Sequence, residues 1–195
     1  MQQPQNYYGS LACLAYDLDK PVGRSFGDVE YYMQRLQGVR GPVLEPAVGN
    51  GRVLIPLQQT GLDMIGFDSS DEMLSLLHQH GRRCGLSVRA DRRRFEDFSY
   101  EQRFAAAIIP AGSLQLITET DGAIHFLRRI RDHLLPEGRL IFDLDPIDAF
   151  LSPAGSSSVR SWTTPDGSLL KLQEMQEEVD YVQQTTTSHL RYDLW

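Results

Sequence analysis

Long apolar runs are missing from this 195-residue sequence, and no stretch approaches the roughly 18 residues that a membrane-spanning helix needs. The opening MQQPQNYYGS also lacks the charged-then-apolar layout of a secretory leader, so a cytoplasmic protein is expected. Cysteine is scarce. The two present, Cys13 and Cys84, offer neither a disulfide framework nor a metal-ligand spacing, which points to a reducing compartment, with both expected as buried thiols and no metal site. Basic residues are in the minority, 19 Lys and Arg against 26 Asp and Glu for a net charge of -7. That balance disfavours nucleic acid and suits a small or neutral partner. Arg92, Arg93 and Arg94 are a local exception, but three arginines without flanking lysines read as a solvated face. Repeats and low-complexity tracts are absent, and 41% hydrophobic with 23% charged content fits one soluble globular chain.

What is present is an alternation of short apolar runs with longer amphipathic ones, the pattern of a parallel sheet covered by helices. PVLEP, DMIGFD, LSVRAD, FAAAIIP and GRLIFDLD are the strand candidates. DVEYYMQRLQ precedes the first strand, NGRVLIPLQQTG follows it, SSDEMLSLLHQHG follows the second, and ETDGAIHFLRRIRDHLLPEG leads into the fifth. The last of these helices spaces Ile124, Leu127, Ile130 and Leu134 along one face, with Pro136 and Gly138 as its stop. Beyond Pro146 the chain is rich in Thr, Val and Tyr and carries the turn signal Pro165, Asp166, Gly167, which predicts two or three antiparallel strands.

The first strand runs into an acid, Glu45, and then into a turn with glycines at 49 and 51 that opens a helix. Such a turn lets main chain approach a ligand, or it is a tight strand-to-helix connection and nothing more. Asp68 closes the second strand nineteen residues after Gly49, where a carboxylate can accept hydrogen bonds from both hydroxyls of a ribose, and Asp91 closes the third. Asp68 equally suits a helix N-cap, a job that Ser69, Ser70 and Asp71 can share. Asp91 could instead pair with the arginines after it. A dinucleotide fingerprint fails, because Leu54 stands where its third glycine belongs. Glu45 would repel a pyrophosphate and would suit a ligand with positive charge, or it is a surface acid at the strand end and nothing more. S-adenosylmethionine is such a ligand, with a ribose, an adenine, a sulfonium and no phosphate.

These residues resemble the class I S-adenosylmethionine-dependent methyltransferases, whose motif Glu/Asp-x-Gly-x-Gly-x-Gly reads here as Glu45-Pro46-Ala47-Val48-Gly49-Asn50-Gly51, with alanine at the first glycine. GFDSSDEML matches the pattern Asp-x-Ser-x-x-Met-Leu through Asp68, Ser70, Met73 and Leu74. The resemblance implies an α/β fold, a Rossmann-like, mostly parallel sheet with a C-terminal antiparallel β extension. Its core with an N-terminal helical cap would occupy residues 1–150, and residues 151–195 would form a lid or a dimer element. It implies a donor site of Tyr16, Glu45, Ala47, Gly49, Gly51, Asp68, Ser69, Met73, Asp91, Arg92, Pro110 and Ala111. Asp91 would meet the adenine amino group, Pro110 and Ala111 would border the methionine end, and Tyr16 would close as a cap or equally be an interfacial aromatic. Met73 could equally be core. Family members add further strands after the antiparallel segment, so an incomplete sheet is expected, with a homodimer covering the open edge or a truncated chain. The activity implied is methyl transfer to a small molecule. A non-catalytic or truncated S-adenosylmethionine-binding protein is the alternative, and a dinucleotide-binding oxidoreductase a more distant one. No catalytic base is assigned; Asp143 and Asp145, at the end of the fifth strand, are the nearest candidates by topology, and Asp143 could equally be a structural strand-end acid.

Overall fold

The computed structural model describes residues 9–146 and 152–195, so the division expected at 150/151 and most of the N-terminal stretch lie outside the described residues. Two compact units are resolved by their contacts, residues 20–144 as one and residues 9–19 with 145–195 as the other.

In the first unit, β1 (Val43–Pro46), β2 (Met64–Asp68), β3 (Arg89–Arg92), β4 (Phe104–Ile109) and β5 (Leu134–Phe142) form one sheet in the order β3-β2-β1-β4-β5. Every neighbouring pair is parallel, so each connection must cross over. α3 (Leu54–Gln59) and α4 (Asp71–Arg83) carry two of these crossovers, α5 (Thr120–His133) a third, and α2 (Asp28–Arg35) precedes β1. Successive strand residues feed two separate cores. Val43, Met64, Ala106 and Ile108 pack with Tyr32, Leu54, Leu57 and Leu77. Leu44, Ile65, Phe67, Ala107 and Ile109 pack with Phe98, Phe104, Phe126 and Ile130, where Phe67 stacks on Phe98 with centroids 5.0 Å apart. Burial on both faces explains why these strands read as unbroken apolar runs.

Three local expectations change. α5 ends at His133, ahead of the Pro136 stop, and β5 already begins at Leu134. Its pairing with β4 jumps from Phe104↔Leu134 to Ala106↔Arg139, with Glu137 at φ 64 in the interruption. The cause is Pro136, which cannot donate to a helix and pushes Leu135 toward extended backbone. The buried stripe of α5 is Phe126 and Ile130, while Ile124 is exposed. Cys13 is buried as expected but Cys84 is exposed, because it is the C-cap of α4, where the chain turns away through left-handed Gly85.

The second unit holds α1 (Ser10–Asp19) and an antiparallel sheet of β6 (Ser157–Thr163), β7 (Leu169–Asp180) and β8 (Thr185–Leu194) in that order. The turn signal is realised between β6 and β7, where Thr164 donates its amide to the Ser168 carbonyl at 2.9 Å and Gly167 takes φ 88. Leu170 and Leu172 of β7 are buried, as are Ala12, Cys13 and Ala15 of α1, and Arg160 pairs with Asp19 at 3.0 Å.

Candidate active site

β1 and β4 are neighbours whose connections leave in opposite directions, toward β2 and toward β5. The carboxyl ends of these two strands therefore flank the switch point of the sheet, where open α/β sheets bind ligands. Two unusual turns stand there. After β1 the backbone turns left-handed at Ala47 (φ 53), Gly49 (φ 55) and Gly51 (φ 86); after β4 it does so at Ala111 (φ 58) and Gly112 (φ 64).

The first turn is fixed from several sides. Val48 donates its amide to the Phe67 carbonyl at 3.0 Å, and Gly51 donates to the Val48 carbonyl at 3.1 Å. A Cβ on Gly51 would lie 2.3 Å from Leu77 Cδ1 and 3.0 Å from Ile55 Cδ1, so this glycine serves the packing of α3 and α4. Asp68 spans the space between turn and helix: its Oδ2 accepts from the Gly49 amide and its Oδ1 from the Ser70 amide, each at 2.9 Å. The N-cap of α4 is Ser70, whose hydroxyl accepts from the Met73 amide at 3.2 Å, so Asp68 is released from that job. Burial pushes the Asp68 carboxyl up, against the opposing pull of the Ser70, Gly49 and Ser69 amides.

Glu45 is 3% exposed, and its Oε2 has no hydrogen-bond partner. Burial drives its carboxyl well above the usual carboxylate range; Arg52 acts in the opposite direction and Asp28 adds to the rise. Arg52 is itself buried, and it binds Asp28 with both terminal nitrogens, at 3.1 and 2.5 Å, while donating to the Arg24 carbonyl at 2.8 Å. Burial raises the Asp28 carboxyl too, yet the Arg52 contact and the Phe26 and Val29 amides outweigh it and hold the group below the ordinary range. Asn50, also buried, donates to the Lys20 carbonyl at 3.0 Å and accepts from the Arg52 amide at 3.2 Å. Asn50 and Arg52 tie the segment before α2 to the glycine turn. A charged residue directly behind Gly-Asn-Gly in an apolar stretch was the available sign of it.

The turn after β4 is held by two side chains distant in sequence. Asp143 accepts from the Gly112 amide at 3.1 Å through Oδ2 and from the Tyr32 hydroxyl through Oδ1. Tyr32 is fully buried, its hydroxyl also lies 3.3 Å from the Ile109 carbonyl, and burial together with the Asp143 hydrogen bond pushes its ionisation above the usual tyrosine value. Pro110 is buried and Ala111 exposed.

Of the other expected residues, Met73 is buried in the first turn of α4, and Ser69 is exposed with its carbonyl 3.3 Å from Arg92 Nε. Arg92 pairs with Asp71 at 2.9 Å. Asp91 lies one residue before the end of β3, pairs with Arg93 at 3.2 Å, and lines an open groove with Ile65, Ala90 and Tyr100. Tyr16 is half-buried on α1, in the second unit. Among the described residues, no cluster of three or more His, Cys, Asp and Glu could hold a metal ion, and no helix is long and apolar enough to cross a membrane.

The family model of the methyltransferase domain matches residues 43–138, from the start of β1 into β5. Over residues 43–138 the chain is similar to a methyltransferase domain. YqeM of Bacillus subtilis (strain 168), which bears the name of a methyltransferase, is 31% identical over 107 residues, 54% of this chain. The chain spans 42% of that relative's length. Two solved structures share the fold of the domain and its extension. The sugar N-methyltransferase KedS8 from Streptoalloteichus sp. ATCC 53650 superposes with a TM-score of 0.70 at 15% identity, covering 100% of this chain and 81% of that one. S-adenosylmethionine-bound CalS10, an amino pentose methyltransferase from Micromonospora echinaspora, does so with 0.62 at 16% identity, covering 98% and 84%.

Proposed function

We propose that the chain binds S-adenosylmethionine at the turn after β1 and transfers a methyl group to a small-molecule acceptor. The reading rests above all on the buried Glu45 carboxylate, whose Oε2 is left without a hydrogen bond beside the glycine turn. An acid in that state costs free energy until a cationic donor reaches it, and the ammonium of an amino-acid tail is such a group. The rest of the site fits the same ligand. Asp68 spends one bond per oxygen on main-chain amides and keeps acceptor capacity for two ribose hydroxyls. Ala47, Gly49 and Gly51 shape the main chain around the donor's amino-acid part, Ser69 and Met73 border the nucleoside, Asp91 and Arg92 meet the adenine, and Pro110 and Ala111 border the methionine end.

When bound, S-adenosylmethionine supplies a methyl group already activated by a sulfonium. The chain's own task is alignment: Glu45 and Asp68 anchor the donor at two points, and the turn after β4 closes the side from which the acceptor comes. Alignment of this kind lowers a barrier by roughly 7 to 11 kcal/mol in the best intramolecular cases. Asp143 spends both oxygens on Tyr32 and Gly112, which fits a structural acid better than a proton acceptor. The net charge of -7 and the names of KedS8 and CalS10, a sugar and an amino pentose methyltransferase, support a small acceptor over nucleic acid. We place the protein in the cytoplasm, as a homodimer across the outer edge of β5, where Leu135 and Phe142 are exposed.

Calorimetry with S-adenosylhomocysteine and with NAD tests the ligand. Heat from the first alone is expected; heat from NAD alone would restore the oxidoreductase reading. Labelled methyl donor added with cell extract tests transfer, and a labelled small product is expected. Binding without product would leave a non-catalytic S-adenosylmethionine-binding protein.

A further inference from the structure

Ala111 and Gly112 are consecutive left-handed residues, and Ala111 carries a Cβ that makes this conformation costly. Such backbone persists only where its surroundings over-determine it. The surroundings here are specific. Asp143, from the end of β5, accepts from the Gly112 amide and from the buried Tyr32 hydroxyl of α2, and the Ile109 carbonyl at the end of β4 faces both the Tyr32 hydroxyl at 3.3 Å and the Asp143 amide at 3.4 Å. On the far side of the turn, the Ser113 hydroxyl donates to the Pro110 carbonyl at 2.7 Å. Tyr32 has no exposed surface and therefore touches no ligand; its hydroxyl acts on the turn through Asp143.

We propose that Tyr32 and Asp143 are positioning residues that clamp the Pro110–Gly112 turn in the shape that receives the methionine end of the donor, an inference that rests on the S-adenosylmethionine reading above. The clamp joins three elements at the switch point, so it sets the height of the turn against β1 and leaves the ribose anchor at Asp68 alone. Loss of the clamp weakens recognition of the amino-acid tail and spares recognition of the nucleoside.

The test compares two ligands on the full chain by calorimetry: S-adenosylhomocysteine, which has the tail, and 5′-methylthioadenosine, which lacks it. Tyr32→Phe removes one hydroxyl, and Asp143→Asn removes one acceptor oxygen as an independent second variant. Each is expected to bind S-adenosylhomocysteine about tenfold more weakly and 5′-methylthioadenosine within about twofold of the unaltered protein. Retained nucleoside binding certifies the fold, and faster hydrogen exchange at the Gly112 amide is expected alongside. An equal loss for both ligands, or no loss for either, overturns the clamp while leaving the donor reading intact. If the unaltered protein binds neither ligand, the donor reading falls and the inference with it.

Discussion

A carboxylate that is 3% exposed, with its Oε2 unbonded, weakens the free protein wherever it is ionised. Folding raises the Glu45 carboxyl above its unfolded value, so the folded chain holds the proton to higher pH than the unfolded one. Stability attributable to this group is complete below the ordinary carboxylate range and declines as pH rises from there toward the raised value. Glu45→Gln should flatten that decline and add about 1 kcal/mol near pH 8, or about 2–4 °C in Tm for a chain of this size, by thermal unfolding across pH. The same variant should lose the rise in Tm that S-adenosylhomocysteine gives the parent. Because Asp68 is also raised by burial, some slope remains, and the variant is read against its parent. Ala47 is the complementary case. It stands at φ 53 in the position where the motif has glycine, so Ala47→Gly should stabilise the chain by about 0.5–1 kcal/mol in urea unfolding. A loss of stability there would mean that the alanine methyl packs better than its backbone suffers.

Among the elements, the turn, α3 and α4 meet at Gly51, where a Cβ would sit 2.3 Å from Leu77 Cδ1 at φ 86. Gly51→Ala should therefore destabilise by about 2–4 kcal/mol, the sum of overpacking and a left-handed alanine, read as a lower urea midpoint. An unchanged midpoint would show that Leu77 and Ile55 give way freely. Strands β1, β2 and β4 were legible in the sequence because burial on both faces leaves plain apolar runs, and α4 because Ser70 and its acidic first turn announce a helix start. The start of β5 was not, since Leu134 and Leu135 continue the apolar rhythm of α5 and only Pro136 breaks it. In the site, the tie between Gly49 and Asp68 follows a known spacing of nineteen residues. The Tyr32 bonds to Ile109 and Asp143 span 77 and 111 residues, and the Arg52 pair with Asp28 spans 24 against the direction of the motif. No local pattern encodes such partners; they exist only once the sheet order brings β1, β4 and β5 together.

At the scale of the molecule, β5 is the outer strand of the parallel sheet among the described residues and offers Leu135 and Phe142 at 39% and 41% exposure. Light scattering should return twice the chain mass, and Phe142→Lys should halve it with the far-UV spectrum unchanged; a parent that already scatters as a monomer removes the edge pairing. The second unit takes α1 and the three strands β6, β7 and β8, so segments far apart in the sequence meet in one small body that buries Leu170 and Leu172. The sheet of the first unit has a further property. Its strands are counted in twos, since Val43 and Leu44 belong to opposite cores. One amino acid inserted between Leu44 and Glu45 would rotate the acid into the phenylalanine layer, whereas the same insertion between Gly38 and Gly41, outside every strand, would leave both layers in step. Parity, more than composition, limits how this chain can change its length.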